Sequence, residues 1–318
     1  MANSENSRKM NAIVMHEYGN SDVLKYEEVN VPEIKADEIL IRVEYASVNP
    51  YDWKIREGYA KSYLQLRLPA ILGIDAAGTV EEVGDKVNKF KAGDKVFCRA
   101  DFTRGGSYAE YIAVGERQVA HAPRSVPLRE TAGLPVVAGT AWSALFEVAN
   151  LRRGQRVLIT GASGGVGSVA VQLAKNAGAY VIGTTSGKNT DFVKSLGADE
   201  VVDYTTGNFS ERIDPVDVVF DTVGGDTLAK SYELVKKGGV LVTSAGQPDD
   251  ELAHKHGISA KGLMVSTDGK RLEEIAALVD AGKLHIHVDK EYPLSDIKAA
   301  HDFSQSGRAR GKIIVRVQ

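Results

Sequence analysis

Cysteine is almost missing from this chain: Cys98 stands alone among 318 residues. A single thiol excludes an intramolecular disulfide and any multi-cysteine metal site. It leaves Cys98 to be read as a small buried hydrophobe. An excess of one charge is missing too, since 39 basic against 42 acidic residues leave a net charge of -3. Nothing here suggests an electrostatic footprint for nucleic acid or an anionic membrane surface. The stretch 157–174 carries no charge, but its glycines and serines fit a buried turn and helix better than a membrane span. There is no low-complexity tract and no fixed-period repeat, which sets solenoid architectures aside. The amino-terminal MANSENSRK is polar and lacks an apolar core, so it reads as a frayed start and not as a secretory signal. A soluble, cytoplasmic protein is the expectation.

What is present is ample apolar content, 43% of residues, in a chain long enough for two ordinary domains. Residues 157–167, VLITGASGGVG, open with uncharged aliphatic residues suited to a strand buried on both faces of a parallel sheet. A glycine-rich turn follows. From Val166 the apolar residues Val169, Ala170, Leu173, Ala174 and Ala177 recur at the spacing of one helix face. Strand, turn and helix in that order bind dinucleotides, because the first helical N–H groups are unpaired and glycines let a pyrophosphate approach them. The glycine spacing departs from G-x-G-x-x-G, and Gly161-Ala162-Ser163-Gly164-Gly165 also fits the nucleophile elbow of a serine hydrolase. Both readings of Ser163 stand on this segment alone.

Residues 11–121 read mostly as β. EILIRVEY at 38–45 alternates apolar and polar, and AAGTVEEVG and DKVFCRA are similar, punctuated by turn glycines. Residues 128–150 turn alanine- and leucine-rich at helical spacing, broken by Pro135 and Gly139. Buried strands at 179–184, 217–221 and 239–243 alternate with helical stretches at 189–196 and 227–235, as in a doubly wound parallel sheet. Antiparallel β ahead of residue 157 argues against the hydrolase reading. After Asp268 come two helices and a terminal strand, GKIIVRV, where the chain is expected to return to the first domain.

At the end of the second strand, VIGTTSGKNTD has hydroxyls and Lys188 where an NAD-binding protein carries an acid for the ribose 2′-hydroxyl. Thr184, Thr185, Ser186 and Lys188 would receive a 2′-phosphate without repulsion. NADPH is therefore the expected cofactor, with Lys188 as an ordinary surface charge the plainer alternative.

Dispersed motifs in order, SVNPYDWKIREG at 47–58, LGIDAAGTVEEVG at 72–84, AGTAWSAL at 138–145, GASGGVG at 161–167, VFDTVGG at 219–225 and GRARGKIIV at 307–315, make the chain resemble the medium-chain dehydrogenase/reductase superfamily. Within it the chain is similar to the zinc-independent quinone oxidoreductases, the zeta-crystallin group, and to plant enone and alkenal reductases. The resemblance implies an α/β fold, a doubly wound parallel Rossmann sheet plus a GroES-like β-rich catalytic domain. The domains would be 1–130 with 270–318, catalytic, and 131–269, nucleotide-binding. A homodimer paired through sheet edges is implied as well, with a quinone or enone as the small-molecule substrate.

The positions aligned with the catalytic zinc ligands of metal-dependent relatives are Asn49, Ile74 and Val136, and an apolar side chain cannot ligate zinc. His285 and His287 lack a clear third ligand and read as a solvated pair. Without a Lewis acid, reduction of an electron-poor acceptor is easier to support than alcohol oxidation. Lys54 is the leading catalytic candidate, by resemblance to plant reductases with lysine at that position. Asn49 is the second, with a turn residue before Pro50 as its plainer reading. Asp52 and Asp75 read as cleft carboxylates or, more plainly, as groups that cap or pair with Arg56, and Tyr59 and Tyr63 are expected either to wall the substrate pocket or simply to pack. The family pattern carries Thr140 to the nicotinamide ribose, Gly164, Gly165 and Val166 to the pyrophosphate, and Ser186, Lys188 and Tyr204 to the 2′-phosphate and adenine. It carries Ala245, Leu263 and Met264 to the nicotinamide, and Arg308 and Lys312 back to the cofactor; Lys54 is also a cofactor contact. GQPDDELAHKHGIS departs from the commoner pattern and is expected to be an altered loop. An NADPH-binding protein without turnover remains the main alternative function.

Overall fold

The computed structural model describes residues 8–101, 103–263, 265 and 267–318. It divides into two compact units: Met1–Val136 with Thr267–Ala281 and Val288–Gln318, and Val137–Ser266 with Gly282–His287.

The first unit begins with β1 (Lys9–Met15), β2 (Leu24–Asn30), β3 (Glu38–Val48), helix α1 (Pro50–Arg56), β4 (Ala70–Ile71), β5 (Asp75–Val83), β6 (Lys95–Arg99), β7 (Tyr111–Gly115) and β8 (Val119–His121). Strand β3 shows why the alternation reads as β: Ile39, Ile41 and Val43 point inward and are fully buried, while Arg42 and Glu44 alternate with them and remain partly exposed. Asn49 ends β3 in an extended conformation and caps α1, with Pro50 at its first position. The Asp52 carboxylate reaches back to accept the Asn49 N–H at 2.7 Å. Helix α2 (Leu128–Thr131) follows, and α3 (Pro135–Trp142) starts at a proline, with Gly139 inside the helix, where a break was expected.

The second unit carries β9 (Arg156–Ile159), α4 (Gly165–Asn176), β10 (Tyr180–Thr185), α5 (Thr190–Ser195), β11 (Glu200–Asp203), β12 (Val216–Asp221), α6 (Gly225–Ser231), β13 (Val235–Thr243), α7 (Asp250–His256) and β14 (Ser259–Gly262). Among the described residues its strands form one parallel sheet in the order β11-β10-β9-β12-β13-β14. The order reverses between β9 and β12, and the crevice beyond the strand ends at such a switch point is where open α/β sheets bind ligands. The segment expected to be an altered loop contains α7 instead. Asp249 caps it by accepting the Leu252 N–H at 2.9 Å, and Gly257 closes it in the left-handed region at φ 66°. The lysine-glycine run KKGG hid the first half of β13, which starts at Val235 and not at residue 239.

The chain returns to the first unit with α8 (Gly269–Asp280), β15 (Val288–Pro293), α9 (Ile297–Gln305) and β16 (Lys312–Arg316). Strand β16 pairs antiparallel with β3, giving the sheet order β15-β16-β3-β5-β6-β8, with β7 also on β3. A second sheet, β2-β1-β4, packs a core of Ile13, Met15 and Leu24 with Ile55, Tyr108, Ile297 and Val315.

Candidate active site

In the second unit, β9 runs into Gly161, which turns at φ 62°, and Gly164 caps α4. A Cβ on Gly167 would stand 2.2 Å from the Gly161 carbonyl oxygen, so the third glycine is what lets the helix close on the turn. The N–H groups of Gly165, Val166 and Gly167 find no protein acceptor among the described residues. Unpaired donors at the start of a twelve-residue helix are the arrangement a pyrophosphate requires. Ser163 Oγ accepts from Thr185 Oγ1 at 2.9 Å and Asn189 Nδ2 at 3.3 Å, and among the described residues no histidine contacts it to serve as the base of a hydrolase.

The ends of β10 and β11 bring Ser186, Lys188 and Tyr204 to the same edge of this sheet. Ser186 caps a short turn through residues 187–189, Lys188 is exposed, and Tyr204 is 52% exposed. The acid that ends β11, Asp203, accepts from Thr205 Oγ1 at 2.7 Å, Thr205 N at 2.9 Å and the Gly187 N–H, which holds its carboxyl below the usual range. Arg212, which sequence reading passed over, donates to the Asp203 carbonyl and to Thr206 Oγ1 at 3.1 Å, adding a second cation here. At the far strands, Asp221 explains the VFDTVGG motif. Fully buried, it takes the hydroxyls of Thr160 and Thr243, each at 2.8 Å, and the Gly224 N–H at 3.0 Å, fixing the loop after β12. Ala245 N lies 3.2 Å from Thr243 Oγ1, and the Leu263 N–H bonds the Thr243 carbonyl at 2.9 Å, so both flank the ends of β13 and β14. Thr140 is buried in α3, and Met264 lies outside the described residues.

In the first unit the strand ends near α1 gather a buried polar cluster. The Lys312 ammonium donates to Asn49 Oδ1 at 2.7 Å and lies 3.3 Å from Asp75 Oδ2 and 3.4 Å from the Val48 carbonyl. Asp75 also accepts from Ser47 Oγ at 2.6 Å, Asn49 Nδ2 at 2.9 Å and the Val136 N–H at 2.9 Å. Lys312 and Asp75 side chains are 4% and 0% exposed, so the pair is shielded from water. Lys312 thus turns into its own unit to hold Asn49. The amide keeps one N–H unengaged, and the three positions aligned with metal ligands provide here an engaged amide, an aliphatic side chain and a backbone N–H.

Beneath α1, Asp52 Oδ2 takes the Tyr108 hydroxyl at 2.9 Å as well as the Asn49 N–H, and burial pushes its carboxyl up to about 7. Arg56 does not pair with either aspartate. Its guanidinium is fully buried and donates to Gly19 O, Glu57 Oε1, Gln305 Oε1 and His301 Nδ1. Burial and the Arg56 charge keep His301 neutral, its pKa down at about 3. Lys54 is half-buried on α1, its Nζ 5.7 Å from the Trp53 ring centre and without a carboxylate partner among the described residues. Tyr59 packs edge-on against Trp53 at 6.2 Å, and it and Tyr63 stay 67% and 70% exposed. Arg308 is exposed on this unit. Of the histidine pair, His287 packs at a tilt against Phe192, ring centres 4.8 Å apart, while the His285 backbone is held by Gln172.

The first unit matches the alcohol dehydrogenase GroES-like domain over residues 35–124, and residues 196–315 match the model described as zinc-binding dehydrogenase. A chloroplastic quinone-oxidoreductase homolog of Spinacia oleracea is 37% identical, covering 97% of this chain and 99% of its own. The chloroplastic NADPH-dependent alkenal/one oxidoreductase of Arabidopsis thaliana is 34% identical over 97% of this chain and 80% of its own. The solved quinone oxidoreductase of Coxiella burnetii superimposes with a TM-score of 0.91 at 34% identity, covering 98% of this chain and all of that one.

Proposed function

The chain belongs to the medium-chain dehydrogenase/reductase superfamily, in its quinone-oxidoreductase-like group, and from that premise we propose that it transfers a hydride from NADPH to a quinone or an α,β-unsaturated carbonyl without zinc. The observation that carries the metal-free part is the Lys312 ammonium bound to Asn49 and Asp75. An amide engaged with a cation, Ile74 and a backbone N–H do not make a zinc donor set.

The nicotinamide supplies the hydride when bound, and the chain's residues do the rest. Unpaired N–H groups of Gly165 and Val166 hold the pyrophosphate. Ser186, Lys188 and Tyr204 receive the 2′-phosphate, which selects NADPH over NADH. Thr140, Ala245, Leu263, Met264 and Arg308 complete the cofactor contacts. Asn49, its orientation fixed from behind, offers its remaining N–H to the acceptor oxygen. Lys54 Nζ donates to the same developing enolate or phenolate, or to the cofactor ribose, and stabilises charge where it appears. The reading extends to a cytoplasmic homodimer. Among the described residues no helix is long and apolar enough to cross a membrane.

Oxidation of NADPH by the purified protein, followed optically with a panel of quinones and enones and repeated after metal chelation, tests this. Saturable turnover that survives chelation, with NADPH preferred to NADH, is expected. NADPH binding without turnover of any acceptor would leave a binding protein, and activity abolished by chelation would end the zinc-free reading.

A further inference from the structure

Strands β3, β5 and β6 are in register so that Ser47 faces Asp75 and Asp75 faces Arg99. Side chains in one such row leave the same face of the sheet, and an Asp–Arg pair directly opposite normally bonds. Here it does not. Both oxygens of Asp75 are taken, by Ser47, Asn49 and Lys312 on one and by the Val136 N–H on the other. Asp101, two residues along, uses Oδ1 for the Thr103 N–H and hydroxyl and makes no ion pair with Arg99 among the described residues. Among the described residues Arg99 therefore has no carboxylate partner, although it is half-buried and its Nε is shut off from water without an acceptor. A guanidinium in that condition is costly unless something anionic completes it. Trp53 Nε1 is a second buried N–H with no acceptor, on the helix that Asn49 caps. The Arg99 charge is felt at the Tyr51 hydroxyl, which bonds Tyr63. Among the described residues this end of the unit thus has two buried N–H groups without an acceptor, Arg99 Nε and Trp53 Nε1, against one buried acceptor without a donor, Asp52 Oδ1, and an exposed aromatic surface from Tyr59 and Tyr63.

We propose that Arg99 binds a carboxylate on the acceptor, so that the preferred acceptors are aromatic enones or quinones bearing a carboxylate. This rests on the reductase reading. A planar guanidinium takes a carboxylate through two parallel N–H···O bonds, and the tyrosines supply flat walls for the ring.

The test compares 4-phenylbut-3-en-2-one carrying a para-carboxylate with its methyl ester, in the wild type and in Arg99→Met and Arg99→Lys, with NADPH affinity measured alongside. The wild type is expected to favour the acid by about tenfold to a hundredfold in kcat/KM, the worth of a charge-assisted hydrogen bond. Arg99→Met should bring the ratio near one and Arg99→Lys should fall between. The wild-type ratio needs no variant, so it remains informative if Arg99→Met does not fold. A wild-type ratio near one overturns the proposal. A ratio that persists in Arg99→Met while NADPH binding weakens also overturns it, because the guanidinium then serves a cofactor phosphate. If neither acid nor ester nor any other acceptor is reduced, it is the reductase reading that fails, and this inference falls with it.

Discussion

Replacing Lys312 with methionine removes one charge from the buried cluster and keeps the length of the side chain. Asp75 would be left fully buried without its cation and supported by only Ser47 Oγ, Asn49 Nδ2 and the Val136 N–H, while Asn49 Oδ1 would lose its donor at 2.7 Å. Removing one partner of a buried ion pair costs about 3–5 kcal/mol. The three surviving hydrogen bonds place Lys312→Met near the lower end, about 3 kcal/mol, and the unsatisfied amide oxygen keeps it from falling further. For a unit of this size that is a fall of about 6–12 °C in Tm. Scanning calorimetry at neutral pH measures it, with Asp75→Asn and the double variant closing a cycle. A coupling above about 1 kcal/mol is expected, since the groups touch. A released Asn49 should also lower kcat with enones while leaving NADPH affinity unchanged, because no part of the pyrophosphate cradle is altered. A loss under about 1 kcal/mol with an additive cycle would refute the claim that the ammonium fixes Asn49.

Three further outcomes can be checked. Burial raises Asp52 from 3.8 to about 7, so the folded protein holds a proton that the unfolded chain releases; the stability this contributes is full below about pH 4 and is lost as pH rises to about 7, on the order of a few kcal/mol, and urea midpoints across that range should show a slope that Asp52→Asn removes. Gly167→Ala drives a methyl into the Gly161 carbonyl, at 2.2 Å, and should cost about 1–3 kcal/mol and weaken NADPH and NADH binding together. Lys188→Ala should weaken NADPH binding about tenfold and leave NADH binding unchanged in equilibrium titrations.

The second unit, with its parallel sheet, was legible because its signals are local. Strand, glycine turn and amphipathic helix occupy residues 156–176 without interruption, and the missing acid after β10 is visible from a few consecutive residues. Helix α7 was not legible in a loop-like run of glycine, proline and aspartate, because its cap and its left-handed stop lie close together and leave no long apolar period. The first half of β13 was hidden because its lysines and glycines, 236–239, fall in a break of register between Val235, which pairs with Val216, and Val240, which pairs with Val218.

The polar cluster of the first unit was legible only as single residues, because its meaning lies in register. Nothing local marks Lys312 as different from any lysine at the start of a strand. The pairing of Ile313 with Val48 on adjacent antiparallel strands is what carries Lys312 to the level of Asn49, 263 positions away in sequence. The same logic runs along the next strands, where the match of Asp75 with Arg99 sets up an ion pair that Lys312 pre-empts. An aspartate facing two cations can satisfy one of them fully, and here the buried lysine takes it. Among the described residues the arginine is then left without a carboxylate partner, opposite the aspartate that holds the Asn49 amide. A negative group carried in by the acceptor is the simplest way for that charge to be matched, which ties the internal cation that fixes Asn49 to the choice of substrate.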